Sequence, residues 1–420
     1  MRPPTDVTDA TAPLPVRAYF PCFEGLRALA AGAVVVFHAV SVAGPAAAGP
    51  LHTPASVLDM GVSVFFVISG FLLYRPFVAA GAEQRPVQGP LRFWWRRILR
   101  IVPAYWLAFT VLWALGWITV DDQPWRYYLF LQIYDAYTFI DGVVPAWSLN
   151  TEIAFYLLVP VWAFFVRRVL GRGRPTLRLE AAGAVALVVL GYAARVIVSG
   201  IDRVWATTGD GRPVRMGELT FAWLPTTVDL FAFGMLLAVL SVAASRNPGL
   251  RARLDRLARP AGLWWAAAAA GWLAFAYGPG APNLTGGYDL AYGQVRQATF
   301  AFVAVTLLVP AVFGDQEHGI LRAIVSSRPV VWLGAVSYGL YLWHFPLLQR
   351  IPVWLDRPGA EVPLVALLAG AFGLGLGAAA VSWYALERPL QTLRRDRPAL
   401  SVVPPGLDRR AAAPVERASR

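Results

Sequence analysis

Ten stretches of about twenty residues each run through this chain almost without charge, and nothing else in the sequence constrains the fold as strongly. They lie at about 26–43, 57–76, 98–118, 145–166, 180–199, 221–243, 261–278, 297–313, 330–349 and 362–384. A segment of that kind is stable only in a large core or in lipid, and its length decides between them. Roughly 20 apolar residues in a helix cross the hydrocarbon layer of a bilayer. Only 15% of the 420 residues are charged, against about 25% in an ordinary soluble domain. Proline falls inside several stretches, as at Pro160, Pro225 and Pro346. Neighbouring helices can satisfy the carbonyls it frees. Trp113, Trp117, Trp125, Tyr127 and Tyr128 gather near span ends, the level of the membrane–water interface. The expected fold is all-α: a polytopic membrane helix bundle of about ten transmembrane helices.

Charge tests this independently. The chain has no lysine, so all 37 basic residues are arginine. With ten spans and the N-terminus inside, 29 arginines fall in cytoplasmic segments and 6 in outer loops. Basic residues are retained on the cytoplasmic side, so both termini are expected there. The net charge of +12 then reflects topology and anionic lipid headgroups. The basic residues sit in separate short loops beside apolar spans, which argues against nucleic acid as a partner. Cys22, the one cysteine, has no partner for an internal disulfide. The first apolar run is too long and too deep for a cleavable signal peptide. Residues 1–18 and 393–420, rich in Pro, Arg and Ala, are expected to be disordered tails. The second of these is a basic cytoplasmic one, and the membrane domain occupies 19–392. A multi-pass cell-membrane location follows.

A polar side chain inside a bilayer marks a functional site by default, and here the set is short. In the first span Arg27 and His38 are eleven residues apart. That returns to within about 20° of the same helix face with a rise of about 16 Å. One face thus carries a permanent cation near the cytoplasm and an imidazole in the outer half. The bland readings are an interfacial arginine and a histidine bonded to a neighbouring helix. In the fourth span Ser148 and Glu152 are one turn apart. In the ninth, Ser337, Tyr341 and His344 share a face. Depth along the spans brings His38, Glu152, Asp229 and His344 to one slab of the membrane. Such a set suits an acid–base centre or a proton relay, and composition does not separate the two. Arg96, Arg97 and Arg100 stand at the inner surface at the start of the third span. Guanidinium groups there suit a phosphate-bearing cytoplasmic ligand, or merely lipid headgroups. No metal-ligand pattern is expected.

All of these residues except Asp229 lie in segments that resemble the acyltransferase-3 family of integral membrane O-acyltransferases. The segments are Glu24-Gly25-Leu26-Arg27 leading to Val36-Phe37-His38, then Gly61 to Leu72, Arg96 to Tyr105, Trp147 to Tyr156, Ser337 to Pro346, and Glu387-Arg388-Pro389. They occur in the family's order over about residues 20–392. Glu24 stands where the family more often has aspartate. Many members carry an extracytoplasmic hydrolase-like domain, and this chain resembles the stand-alone form, similar to macrolide or surface-sugar O-acyltransferases. The resemblance implies transfer of an acyl group, acetyl by preference, from acyl-coenzyme A to a hydroxyl. The implied acceptors are glycans, secondary metabolites or glycosylated polyketide-type molecules. It implies His38 as general base oriented by Glu152, and Arg27, Arg96, Arg97 and Arg100 on the coenzyme's phosphates. Ser148, Tyr105, Asp229 and His344 are then expected near the acceptor. The competing reading is a proton-coupled transporter or lipid-linked sugar flippase, using the same intramembrane groups as a relay. A transporter of this length often shows two similar halves, and Arg27/His38 has no counterpart near the sixth span.

Overall fold

The computed structural model describes residues 20–392 apart from 136, 140, 172–175, 202–203, 208–212, 216–219, 279–289 and 315–318. The expected tails lie outside the described residues. Ten long helices form near the ten expected stretches: α1 (Cys22–Ala48), α2 (Gly61–Ala82), α3 (Pro90–Ala114), α4 (Trp147–Phe164), α5 (Leu177–Gly200), α6 (Leu224–Arg246), α7 (Ala261–Tyr277), α8 (Leu290–Val312), α9 (Arg328–Trp354) and α10 (Leu364–Ser382). Among the described residues nine are long and apolar enough to cross a membrane, and α7, with 17 residues, falls just short of them. The expectation of a polytopic helix bundle therefore holds. The strands seen among the described residues are one small antiparallel pair between α5 and α6, β1 (Val204–Thr207) and β2 (Pro213–Arg215), with Thr207 opposite Pro213.

Local chemistry explains where the helices depart from the apolar stretches. The third begins at Pro90 instead of 98. Proline is preorganised for the first helical turn, so the arginine-bearing segment is wound into α3 and its side chains take fixed positions. α1 bends at Gly44, whose φ of 70° and ψ of 174° are not helical. Pro45 has no N–H to continue the ladder, and the preceding glycine takes the left-handed φ without steric penalty.

The bundle is built outward from α2 and α6, with 78% of the apolar window of each buried, against 28% for α5 and 22% for α10. α2 packs on α6 and α6 on α5, α1 lies against α9 and α2, α9 against α10, and α7 against α8. Gly70 and Gly234 set the α2–α6 distance. A Cβ on Gly70 would lie 2.0 Å from the Phe231 carbonyl oxygen, and one on Gly234 would lie 2.1 Å from that of Val67. Within lipid, helices associate through such close backbone approach and not through hydrophobic expulsion. The outward faces are apolar, with Val189 61%, Ile197 62% and Val365 76% exposed. That surface suits acyl chains. Some ionic groups inside are paired: Glu180 accepts from Tyr74 and lies 3.2 Å from Arg167 Nε, joining α2, α5 and the segment that follows α4.

Candidate active site

α1 and α9 bring His38 and His344 into direct contact. His344 Nε2 lies 3.0 Å from His38 Nδ1, and the ring centroids are 5.0 Å apart. Each ring also returns to its own helix: His344 Nδ1 is 2.9 Å from the Leu340 oxygen, and His38 Nδ1 is 3.0 Å from that of Val34. A carbonyl only accepts, so in the neutral pair His344 carries its hydrogen on Nδ1 and presents a lone pair at Nε2. His38 Nδ1 must then donate, shared between His344 Nε2 and the Val34 oxygen. His38 Nε2 is left with a lone pair that no described residue engages. His344 is fully buried, whereas His38 keeps some exposure between the rings of Phe37 and Phe345.

Next to this pair lies a chamber, partly open to its surroundings, that encloses about 720 Å³ of space. Tyr341 joins the two. It lines the chamber, and its ring is 6.0 Å from that of His344. Its hydroxyl donates to the Pro145 oxygen at 2.9 Å and lies 2.8 Å from Ser148 Oγ. Arg27, Arg97 and Arg100 also line the chamber, with Glu152 as the lining carboxylate. Of the three cations, only Arg27 has an ion-pair partner among the described residues, Glu24 at 3.9 Å. Arg97 Nε is a buried atom without a hydrogen-bond partner among the described residues. With one lining carboxylate for three guanidiniums, this end of the chamber carries excess positive charge and suits an anion.

Several expectations are redistributed. Glu152 lines the chamber, but its Oε1 accepts from Ser69 Oγ and Tyr156 OH, both at 2.6 Å. The hydrogen-bonding partner of the His38 ring from another helix is His344. Arg96 does not line the chamber; it projects about 100° around α3 from Arg97 and remains half-exposed. Tyr105 faces away as well: its hydroxyl donates to the Tyr127 oxygen at 3.1 Å, and its ring packs 4.4 Å from that of Phe130. Asp229 is fully buried, and its carboxylate takes Arg195 Nη1 at 3.2 Å, Arg195 Nη2 at 3.0 Å and Gln297 Nε2 at 3.0 Å. Arg195 and Arg296 thus belong to the bundle's polar interior, where Arg296 pairs with Asp59.

Arg195, Arg296 and Gln297 line a second cavity of about 860 Å³, together with Asp59, Ser63 and Trp147. Val62 and Phe66 line both cavities. No group of three His, Cys, Asp or Glu able to hold a metal ion occurs among the described residues.

Comparison with known proteins adds a family to this geometry. MdmB, an acyltransferase of Streptomyces mycarofaciens, is 27% identical over 414 residues, covering 92% of this chain and 96% of MdmB. The peptidoglycan O-acetyltransferase OatA of Listeria monocytogenes is 24% identical over 354 residues, covering 79% of this chain and 50% of OatA. YrhL of Bacillus subtilis is 26% identical over 394 residues, 89% of this chain and 55% of YrhL. The chain therefore spans about half the length of two of these relatives. No solved structure matches it. Residues 20–387 match the acyltransferase-3 model, described as an acyltransferase domain. That match takes in the histidine pair, the arginine-lined chamber and both cavities, and the chain belongs to the acyltransferase-3 family.

Proposed function

We propose that the chain is an O-acyltransferase of the plasma membrane, with both termini in the cytoplasm. It moves an acyl group, acetyl by preference, from acyl-coenzyme A to a hydroxyl of a carbohydrate or of a glycosylated, polyketide-type acceptor. The observation that carries this reading is the histidine pair, with one free ring nitrogen, beside a chamber holding three guanidiniums and one carboxylate.

In the proposed topology the starts of α1 and α3 are cytoplasmic. Arg27, Arg97 and Arg100 there meet the phosphates of the donor, where charge-assisted hydrogen bonds are strongest. The acyl thioester extends toward Tyr341 and the histidines. His38 Nε2 takes the acceptor's hydroxyl proton as the oxygen attacks the thioester carbonyl carbon. The new C–O bond forms, the C–S bond breaks, and the imidazolium returns its proton to the departing thiolate, giving free coenzyme A and the ester. His344 Nε2 accepts from His38 Nδ1–H throughout. It holds the ring's tautomer and stabilises the imidazolium, the part a carboxylate takes in other acyl transfers. Glu152 keeps Ser69 and Tyr156 in place and offsets part of the chamber's positive charge.

The experiment is thioester consumption. Purified protein in detergent, given acetyl-coenzyme A and cell-envelope or secreted acceptors, is expected to release free coenzyme A in step with ester formation seen by mass spectrometry. Acceptor transport across vesicles without thioester cleavage would favour the transporter reading instead.

A further inference from the structure

We infer that the second cavity is the acceptor site and that it takes a neutral, hydroxyl-rich ligand, a sugar. This rests on the transferase reading above and assigns one substrate of that reaction to a place.

Position is the first argument. The cavity wall comes from Asp59, just before α2, Trp147 at the start of α4, Thr226 and Thr227 in the first turn of α6, Arg296 and Gln297 in α8, and Ser199 near the end of α5. In the proposed topology all these helix ends point outward, whereas the arginines of the first chamber stand at inward ends. The first chamber thus runs from these inward ends to Ser148 at the start of α4, while the second cavity keeps to outward helix ends. They also adjoin. Val62 and Phe66 line both, and the neighbours Trp147 and Ser148 face one each. One layer of side chains separates a ligand in the outer cavity from the donor's chamber.

Charge is the second argument. In the first chamber three guanidiniums face a single carboxylate. In the second, each guanidinium has its own carboxylate: Arg195 holds Asp229 at 3.0 Å, and Arg296 pairs with Asp59. Paired charges cancel at a distance but remain good hydrogen-bonding groups close by. A polyanion therefore partitions to the first chamber, and a neutral polar ligand to the second. Ligand sites are largely apolar with a few placed polar groups. Here the indole of Trp147, packed against Phe221 with centroids 5.0 Å apart, offers an aromatic face. Ser63 and Gln297 supply the hydroxyl and amide that read sugar oxygens.

A single-cysteine experiment tests this. Replace the native thiol by Cys22→Ser and introduce Ser199→Cys, or Val198→Cys on the same wall should the first variant fail to fold. In detergent, measure the rate of labelling by a fluorescent maleimide. Chitotetraose or maltotetraose, as neutral probes, is expected to slow labelling at least threefold, while coenzyme A and trigalacturonic acid do not. Labelled protein is then expected to lose at least tenfold in acyl transfer relative to the same variant unlabelled, with coenzyme A affinity unchanged within twofold. Protection by coenzyme A, absence of protection by both neutral sugars, or full transfer after labelling would overturn the assignment. Failure of unlabelled protein to bind coenzyme A or cleave acetyl-coenzyme A would sink the transferase reading instead. The sugar-protection result stands apart from that.

Discussion

His38 and His344 occupy the same depth and make the same bond to their own helices, yet their hydrogen-bond partners make them unequal. His344 has both ring nitrogens engaged, on Leu340 and His38, while His38 keeps one free. Under the proposed mechanism His38→Ala should reach the membrane in normal amounts, because exchanging an imidazole for a methyl adds no polar group to the bilayer interior. Acetyl transfer should fall by about 10²- to 10⁴-fold, the usual worth of acid–base catalysis. His344 acts through His38 and so is a positioning residue. His344→Gln, whose amide oxygen still accepts from Nδ1–H, should retain more kcat than His344→Leu, with the donor's KM unchanged in both. Equal rates in the two variants would remove His344 from this role. Arg97→Ala should weaken coenzyme A binding by about 1.5–3 kcal/mol, one charge-assisted contact, when measured by calorimetry on folded protein. His38, His344, Glu152 and the chamber's arginines could be singled out in the sequence as polar groups on apolar spans. The pairing of the two rings could not, because helical periodicity reports height and face but not which neighbour a face meets. Glu152 was expected to orient His38 from the family resemblance and from matching height, and in the structure it bonds to Ser69 and Tyr156.

At the scale of elements, stability centres on α2 and α6. A side chain at Gly234 would meet a backbone carbonyl at 2.1 Å, and a backbone atom cannot rotate aside. Gly234→Val should therefore force the helices apart at a loss of about 3 kcal/mol, the upper end for overpacking. It should be visible as a lowered melting temperature in size-exclusion thermal assays; wild-type behaviour would mean that the pair is not the bundle's centre. Asp229 joins α5, α6 and α8 through Arg195 and Gln297. Removing one member of a buried ion pair strands the other, a loss of about 3–5 kcal/mol. Asp229→Ala should be strongly destabilised, and adding Arg195→Met should restore much of the stability. Destabilisation that the second change leaves untouched would show that the pair does not carry the coupling.

At the scale of the whole molecule, orientation rests on the distribution of arginine between the two sides. Reporter fusions after residues 50, 135, 210 and 285 should read as outer and those after 85, 172 and 252 as cytoplasmic. Reversal at two or more positions would reject the topology, and with it the assignment of the second cavity to the outer side. The number, order and approximate ends of the ten helices follow from the sequence alone. An apolar run of bilayer length has one stable state in lipid, a helix that satisfies its own backbone, and loop charge then sets its direction. Lateral order was settled only in three dimensions. Which helices become neighbours depends on where two backbones can approach closely, as at Gly70 and Gly234, and on which buried charges find each other, as Asp229 finds Arg195 and Asp59 finds Arg296. Those are contacts between residues far apart in the chain, and local periodicity carries no record of them. That lateral order turned one expected slab of polar residues into a histidine pair, an arginine-lined chamber and a separate, charge-balanced cavity.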